Sequence, residues 1–381
     1  MAIATHPELS ETEGALRALA RQFAEERLRP GAAERDRSGA FPEDLYREAA
    51  GLGLIGVGIP ERFGGAGTGL FGTQLVLEEL GRVDGSFALT VGASGGLAAS
   101  HILHAGTEAQ AAEWVPPLTK GALGAWALTE PGCGSDAAAL RCRAVREGDA
   151  YRLDGVKMFI SQGSLFSVLV VMARTGEGKG GISAFAVEAA DAGRESRPLH
   201  GKLGMRSMDT AEVVFTGCRI PASRLLGAEG EGFAQSMYVI DGGRIGVGAI
   251  AAGLGQGALE AALDHASERE AFGRPIGEFG GLREMLAECA IELAAARELV
   301  GRAARLHDAG AECRREAAQA KLLATEAALR VCDRSIQVHG GYGYMDECPA
   351  GRFWRDARLL TIGEGTSEIL RDLISRREFG E

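Results

Sequence analysis

The chain has 381 residues, of which 46% are hydrophobic and 24% charged, and a net charge of −11 at neutral pH. That length exceeds what one hydrophobic core usually serves, so two or three subdomains are expected. The acidic balance disfavours nucleic acid and anionic membranes as main partners, yet allows a phosphate-bearing small ligand in a local basic pocket.

The N-terminal stretch "MAIATHPELSETEG" has neither the basic start nor the apolar core of a signal peptide. No apolar run reads as a membrane span. Cysteines stand at 133, 142, 218, 289, 313, 332 and 348, with no pair at metal or redox spacing. Reduced packing thiols in a cytoplasmic protein are expected, and no metal site.

The first third reads helical. "SETEGALRALARQF" opens with Ser10 and Glu13 in a capping-box pattern, and Leu16, Leu19 and Phe23 share a face. "FPEDLYREAAGLG" places Pro42 at a first helical position and Gly51 at the end. "LFGTQLVLEELG" is a further helix, and "TEAQAAEWVPP" runs from a capping Thr107 to a stop at Pro116. From about 121 to 230 the pattern changes to short β-branched and aromatic runs: "YRLDGVKMFIS", "SVLVVMA", "ISAFAVE" and "AEVVF". From 231 it is helical again. Leu282, Leu286, Cys289, Leu293, Ala296, Val300 and Ala303 keep a 3.5-residue period, the mark of a helix packed lengthwise in a bundle. Gly246, Gly253 and Gly257 in the preceding helix imply close helix approach or a ligand against the backbone. The fold class is therefore multidomain α and β. An N-terminal helical domain (1–120) precedes a small β-barrel or sandwich (121–230) and a C-terminal helical bundle (231–381).

Several stretches could carry chemistry. In "WALTEPGCGSD", Gly132 and Gly134 expose backbone N–H groups beside Thr129 and Ser135; it is either a ligand cradle or a tight interdomain turn. In "VKMFISQG", a strand puts Phe159 and Ser161 on one face, suited to a flat heterocycle or simply to core packing. Arg269, Phe272 and Arg274 flank a helix end, where arginine suits phosphate and solvation alike. "IQVHGGYGYMDE" permits backbone approach to a ligand but is no dinucleotide fingerprint, and its His339 is an acid–base group or a structural one. Asp241 and Arg244 form an i,i+3 pair. Finally "TIGEGTSEIL" sets Glu364 between Gly363 and Gly365, where a freed backbone can aim a carboxylate.

The order and spacing of these stretches resemble the acyl-CoA dehydrogenase family of flavoproteins over nearly the whole chain. "TEPGCGSD", "KMFISQG", "GMRSMDTAEVVF", "REAFGRPI", "IQVHGGYGY" and "GEGTSEI" carry the likeness, and "DGGRIGVGAIAAG" looks most like the short-chain, butyryl-CoA branch. The resemblance implies FAD between the β domain and the C-terminal bundle. Trp126, Leu128, Thr129, Gly134, Ser135, Phe159 and Ser161 would hold the isoalloxazine. Arg269, Phe272, Gln337 and Gly341 would reach FAD from a neighbouring subunit, with Thr366 and Glu368 as further cofactor contacts. An obligate oligomer, usually a homotetramer, follows.

Glu364 would be the catalytic base for α,β-dehydrogenation of an acyl thioester, with its own N–H steadying the thioester oxygen. Ser135, Asp241, Arg244 and Gly365 would contact substrate. Some relatives carry the base at the position of Gly243, which here has no side chain. Phe159 replaces a common tryptophan, Ser161 a common threonine, and Gly280 a frequent glutamine. Gly363 stands where many members have tyrosine, which enlarges the acyl end. The resemblance further implies electron-transfer flavoprotein as acceptor. A carrier-protein-bound acyl substrate, an oxidase, a flavin monooxygenase and a non-catalytic binding protein are the competing expectations.

Overall fold

The structure is a computed structural model that describes residues 9–380. Residues 1–8, which contain most of the stretch read for a leader, lie outside it. Helix α1 (Glu11–Phe23) begins at the expected capping box. The Ser10 hydroxyl accepts the Glu13 N–H at 3.3 Å, and the Glu13 carboxylate accepts the Ser10 N–H at 2.8 Å. The first third continues with α2 (Ala32–Ser38), α3 (Glu43–Gly51), α4 (Gly69–Gly81), α5 (Gly85–Val91), α6 (Ser100–Ala105) and α7 (Glu108–Thr119). A π-helical stretch, Gly92–Ala99, joins α5 to α6. Pro42 proves to be the N-cap of α3 rather than its first residue. Helix α7 has its Thr107 cap but passes through Pro116 and Pro117 to Thr119. The expected stop at Pro116 fails because Trp114, Val115 and Leu118 are buried, and that packing outweighs the N–H bonds the prolines forgo.

Eight strands follow: β1 (Gly124–Ala127), β2 (Arg143–Glu147), β3 (Ala150–Ser161), β4 (Val168–Arg174), β5 (Ile182–Glu188), β6 (Arg194–Pro198), β7 (Thr210–Pro221) and β8 (Leu225–Leu226). They form one sheet in the order β6-β7-β3-β2-β4-β5-β8, with β1 parallel to β4. Strands β4 and β5 read as unbroken apolar runs because both their faces are covered. Val168, Val170 and Met172 pack with Trp114 and Leu118 of α7. Leu169, Val171 and Ala173 pack with Tyr151 of β3 and Phe215 of β7, where the sheet turns back on itself. Strands β2 and β6 are charged and largely exposed, so no hydrophobic pattern announced them.

The C-terminal bundle comprises α8 (Gly232–Glu268), the hairpin β9 (Glu270–Ala271) and β10 (Arg274–Pro275), α9 (Gly280–Asp308), α10 (Arg314–His339), α11 (Pro349–Leu360) and α12 (Ser367–Glu378). The expected seam of α9 is inside: Leu286, Cys289, Leu293, Ala296, Val300 and Ala303 are buried. The glycines of α8 do mark close approach. A Cβ at Gly253 would stand 2.1 Å from the Glu78 carbonyl oxygen, and one at Gly257 2.2 Å from that of Arg82, so α4 crosses α8 backbone to backbone. At Gly246 the nearest atom is the flexible end of Leu77, at 3.3 Å. Gly253→Val is therefore expected to destabilise the protein by about 3 kcal/mol and Gly246→Ala by well under ~1 kcal/mol, read as shifts in the urea midpoint.

Two helical stretches, Gly85–Ala105 and Gly232–Glu268, are long and apolar enough to cross a membrane by length and composition. This corrects the expectation that no run reaches that size. Their apolar windows are 61% and 89% buried in the fold, as core helices are.

Candidate active site

The stretch after α11 turns sharply. Glu364 takes φ +54° and Gly365 φ +104°, whereas Gly363 is not left-handed. The conformational freedom expected of the two glycines falls instead on Glu364 and Gly365. A non-glycine residue held there costs on the order of 1 kcal/mol and persists only where neighbours over-determine it. They do. The Lys321 ammonium donates to the Gly365 carbonyl at 2.7 Å, and Arg244 Nε to the Glu364 carbonyl at 3.2 Å. Arg244 is itself fixed by Asp241 Oδ1 at 2.9 Å, and Asp241 Oδ2 accepts from Arg314 at 3.0 Å. Asp241 and Arg244, implied as substrate contacts, are thus both engaged in holding this loop. The Thr366 hydroxyl caps α12 through the Ile369 N–H at 3.4 Å.

The carboxylate of Glu364 points inward. Its Oε2 is enclosed and has no hydrogen-bond partner. A Cβ on Gly243 would lie 2.4 Å from that oxygen and 2.8 Å from Leu97 Cδ2. Positions 243 and 364 therefore aim at one spot, and only glycine at 243 leaves room for Glu364. Burial pushes the Glu364 carboxyl up to about 7, against the pull of the Lys321 and Arg244 charges. Lys321, wholly buried, is drawn down to about 8 by the same desolvation. The Glu364 N–H donates to no group among the described residues. The site thus pairs a near-neutral carboxyl with an unspent backbone donor.

A second face lies at the end of β1. Lys157 is fully buried and ion-pairs with Glu130 at 2.8 Å while donating to the Leu128 carbonyl at 3.0 Å. Glu130 also accepts the N–H groups of Arg141 and Cys142, at 2.7 and 2.9 Å. This cross-brace pins the loop against β3. It leaves Trp126 and Thr129 part-exposed, and Gly134 and Ser135 exposed. Phe159 and Ser161 both face outward with Ile160 buried between them, but the alternation does not extend back to Lys157. A register shift between Lys157 and Ile160 interrupts the strand, burying Lys157 and turning Phe159 out at φ +60°. Phe159 is 68% exposed and Ser161 part-exposed. An exposed ring on a strained backbone has no packing reason to be there; a flat heterocycle covering it supplies one. Aromatic wall, hydroxyls and exposed N–H groups together fit an isoalloxazine.

The remaining residues gather elsewhere. Arg269 and Gly341 line a cavity of about 490 Å³ with His265, Val338 and His339, and no residue of the Trp126–Ser161 face borders it. Gln337 is exposed at the end of α10. Phe272 stands 96% exposed at φ +54° in the β9–β10 turn. Glu368 is exposed in the first turn of α12. All seven cysteines are free, six of them buried. No metal-holding cluster occurs among the described residues.

Sequence reasoning missed Lys321 and the Glu130–Lys157 pair. The signal for Lys321 was a charge on an apolar helical face, in line with Ala317, Ala324 and Ala328, all buried.

A face suited to a flat ring, together with a buried carboxyl of raised proton affinity, is the arrangement a flavin-dependent oxidoreductase needs. Comparison with known proteins makes this specific. The acyl-CoA dehydrogenase N-terminal, middle and C-terminal domains match residues 10–122, 125–218 and 230–379. A probable acyl-CoA dehydrogenase of Bacillus subtilis is 41% identical over 374 residues, covering 97% of this chain and 98% of its own. An acryloyl-CoA reductase (NADH) of Anaerotignum propionicum is 42% identical over 375 residues, covering 97% and 94%. The three-dimensional structure of butyryl-CoA dehydrogenase from Megasphaera elsdenii superposes with a TM-score of 0.96 at 36% identity, over 98% of this chain and 100% of that one. The chain belongs to the acyl-CoA dehydrogenase family and is an FAD-dependent oxidoreductase.

Proposed function

We propose that the protein converts a short acyl-CoA to its trans-2-enoyl-CoA, with Glu364 as the base that takes the α-proton. The carrying observation is the enclosed, unpartnered Oε2 of Glu364, with its carboxyl raised to about 7. An α-C–H beside a thioester is a weak acid, so a carboxylate needs help. The unspent N–H of Glu364 is the donor placed to steady negative charge on the thioester oxygen. Lys321 and Arg244 hold the carbonyls of Gly365 and Glu364, which fixes the backbone that carries both the N–H and the carboxylate. Trp126, Leu128, Thr129, Ser135, Phe159 and Ser161 would hold the flavin ring. Bound FAD supplies the acceptor for the β-hydride. Arg269, Phe272, Gln337 and Gly341 would complete the cofactor site of a neighbouring subunit, in a cytoplasmic homotetramer. Electron-transfer flavoprotein is the acceptor this reading assigns; a solved relative (TM-score 0.97, 39% identity) comes from a structure report on the electron transferring flavoprotein of Acidaminococcus fermentans.

Anaerobic titration with a panel of acyl-CoA thioesters tests the reading through the visible flavin band. Bleaching by a short acyl-CoA is the expected result. A yellow protein that no CoA thioester bleaches would sink it. Gly363 offers a second handle. It is not left-handed, and the nearest atom to a Cβ there is the Leu359 carbonyl oxygen at 3.8 Å, so the backbone accepts a side chain at this position. Gly363→Tyr is expected to lower kcat/KM for branched and longer acyl-CoAs by about tenfold or more while sparing the shortest, since it fills the acyl end.

A further inference from the structure

The three regions of the fold meet at one hydrogen-bonded line. Trp126, on β1, donates its indole Nε1–H to Nδ1 of His101, on α6, at 3.0 Å. Nε2 of His101 lies 3.2 Å from Gln235 Oε1, on α8. Gln235 Nε2 donates to the Leu226 carbonyl, at the end of β8, at 3.1 Å.

The direction of this line is unique. An indole nitrogen can only donate, so His101 Nδ1 accepts and the imidazole proton sits on Nε2. That proton goes to Gln235 Oε1, which fixes the amide's orientation and sends its N–H to Leu226. Each bond of the line thus has a single possible donor. His101 is wholly buried, and desolvation pushes it down to about 4, so it stays neutral and keeps its accepting nitrogen at physiological pH. Trp126 is the one residue of β1 left part-exposed, three positions before Thr129.

We propose that His101 and Gln235 are positioning residues that lock the Trp126 indole as a wall of the flavin site. This rests on the flavin-binding reading of the Trp126–Ser135 loop. Without the lock the indole is free to rotate about its side-chain bonds. The ring edge presented to the cofactor is then no longer pre-organised, and ordering it is charged against binding.

The test is FAD titration of apoprotein by fluorescence, with visible spectra of the bound flavin, for wild type, His101→Phe, Trp126→Phe and the double variant. Each single substitution is expected to weaken FAD binding about tenfold, the loss of one buried hydrogen bond, and to shift the flavin band. The double variant should be no weaker than His101→Phe alone, because that substitution already removes the bond that Trp126→Phe removes. Should His101→Phe fail to fold, Trp126→Phe carries the test, since it removes the N–H donor and keeps an aromatic ring. Wild-type affinity and an unchanged flavin band in the folded variants overturn the lock alone, as does a double variant in which the single losses add. A wild-type chain that binds no FAD overturns the flavin reading itself, and this inference with it.

Discussion

Glu364→Gln is expected to retain bound FAD and to slow flavin reduction by acyl-CoA by about a thousandfold or more. A positioned general base contributes on the order of 10²–10⁴ in rate, and the amide keeps the shape while losing the proton acceptor. Two pH signatures accompany it. In the wild type the active form is the carboxylate, so kcat/KM rises with pH through about 7, where burial has placed the group. The Gln variant has no such limb. The stability effect has the opposite sense. The folded-state carboxyl is raised from 4.5 to about 7, so the protonated form is favoured by folding. That stabilisation is complete below about 4.5 and is lost as pH rises through 7. Above this, the buried charge costs on the order of 3 kcal/mol relative to an unperturbed carboxyl. Glu364→Gln is therefore expected to melt higher than wild type at pH 8 and alongside it near pH 4. Unchanged flavin reduction in the variant would remove Glu364 from the chemistry.

What the sequence disclosed follows from where the physics is local. Capping at Ser10 and Thr107, the seam of α9, and the apolar runs of β4 and β5 are set by neighbours in the chain, and all were legible. The extension of α7 past Pro116 and the charged strand β6 were not, because the first depends on tertiary burial of Leu118 and the second on pairing with β7. The candidate site divides the same way. Glu364, Phe159 and Ser135 sit in recognisable motifs. The bulge that exposes Phe159 is a matter of register against β7, and the lysine that shapes the Glu364 loop comes from 43 residues upstream on another helix, too far for any spacing rule. Asp241 and Arg244 show the converse. Their pairing was visible as an i,i+3 pattern, but its purpose depends on Arg314 and on the Glu364 carbonyl, which only the fold brings together.

Lys321→Met is expected to be the most damaging change outside the carboxylate itself, and its mark is a displaced pH profile. Two effects combine. The Gly365 carbonyl loses its buried donor, which loosens the left-handed turn that aims Glu364. The substitution also removes a positive charge that pulls the Glu364 carboxyl down. Burial then acts with less opposition, and the carboxyl rises above about 7. The acid limb of kcat/KM accordingly moves to higher pH. Activity at pH 7 falls by about tenfold to a hundredfold, and part of it returns at pH 9. A turn that is merely loosened lowers the whole profile without moving it along the pH axis. Parallel profiles in wild type and Lys321→Met would therefore limit Lys321 to holding the backbone. A displaced limb establishes that the buried ammonium also sets the proton affinity of the base, and explains why a fold otherwise lined with alanines at this level of α10 keeps a charge with no exposed surface.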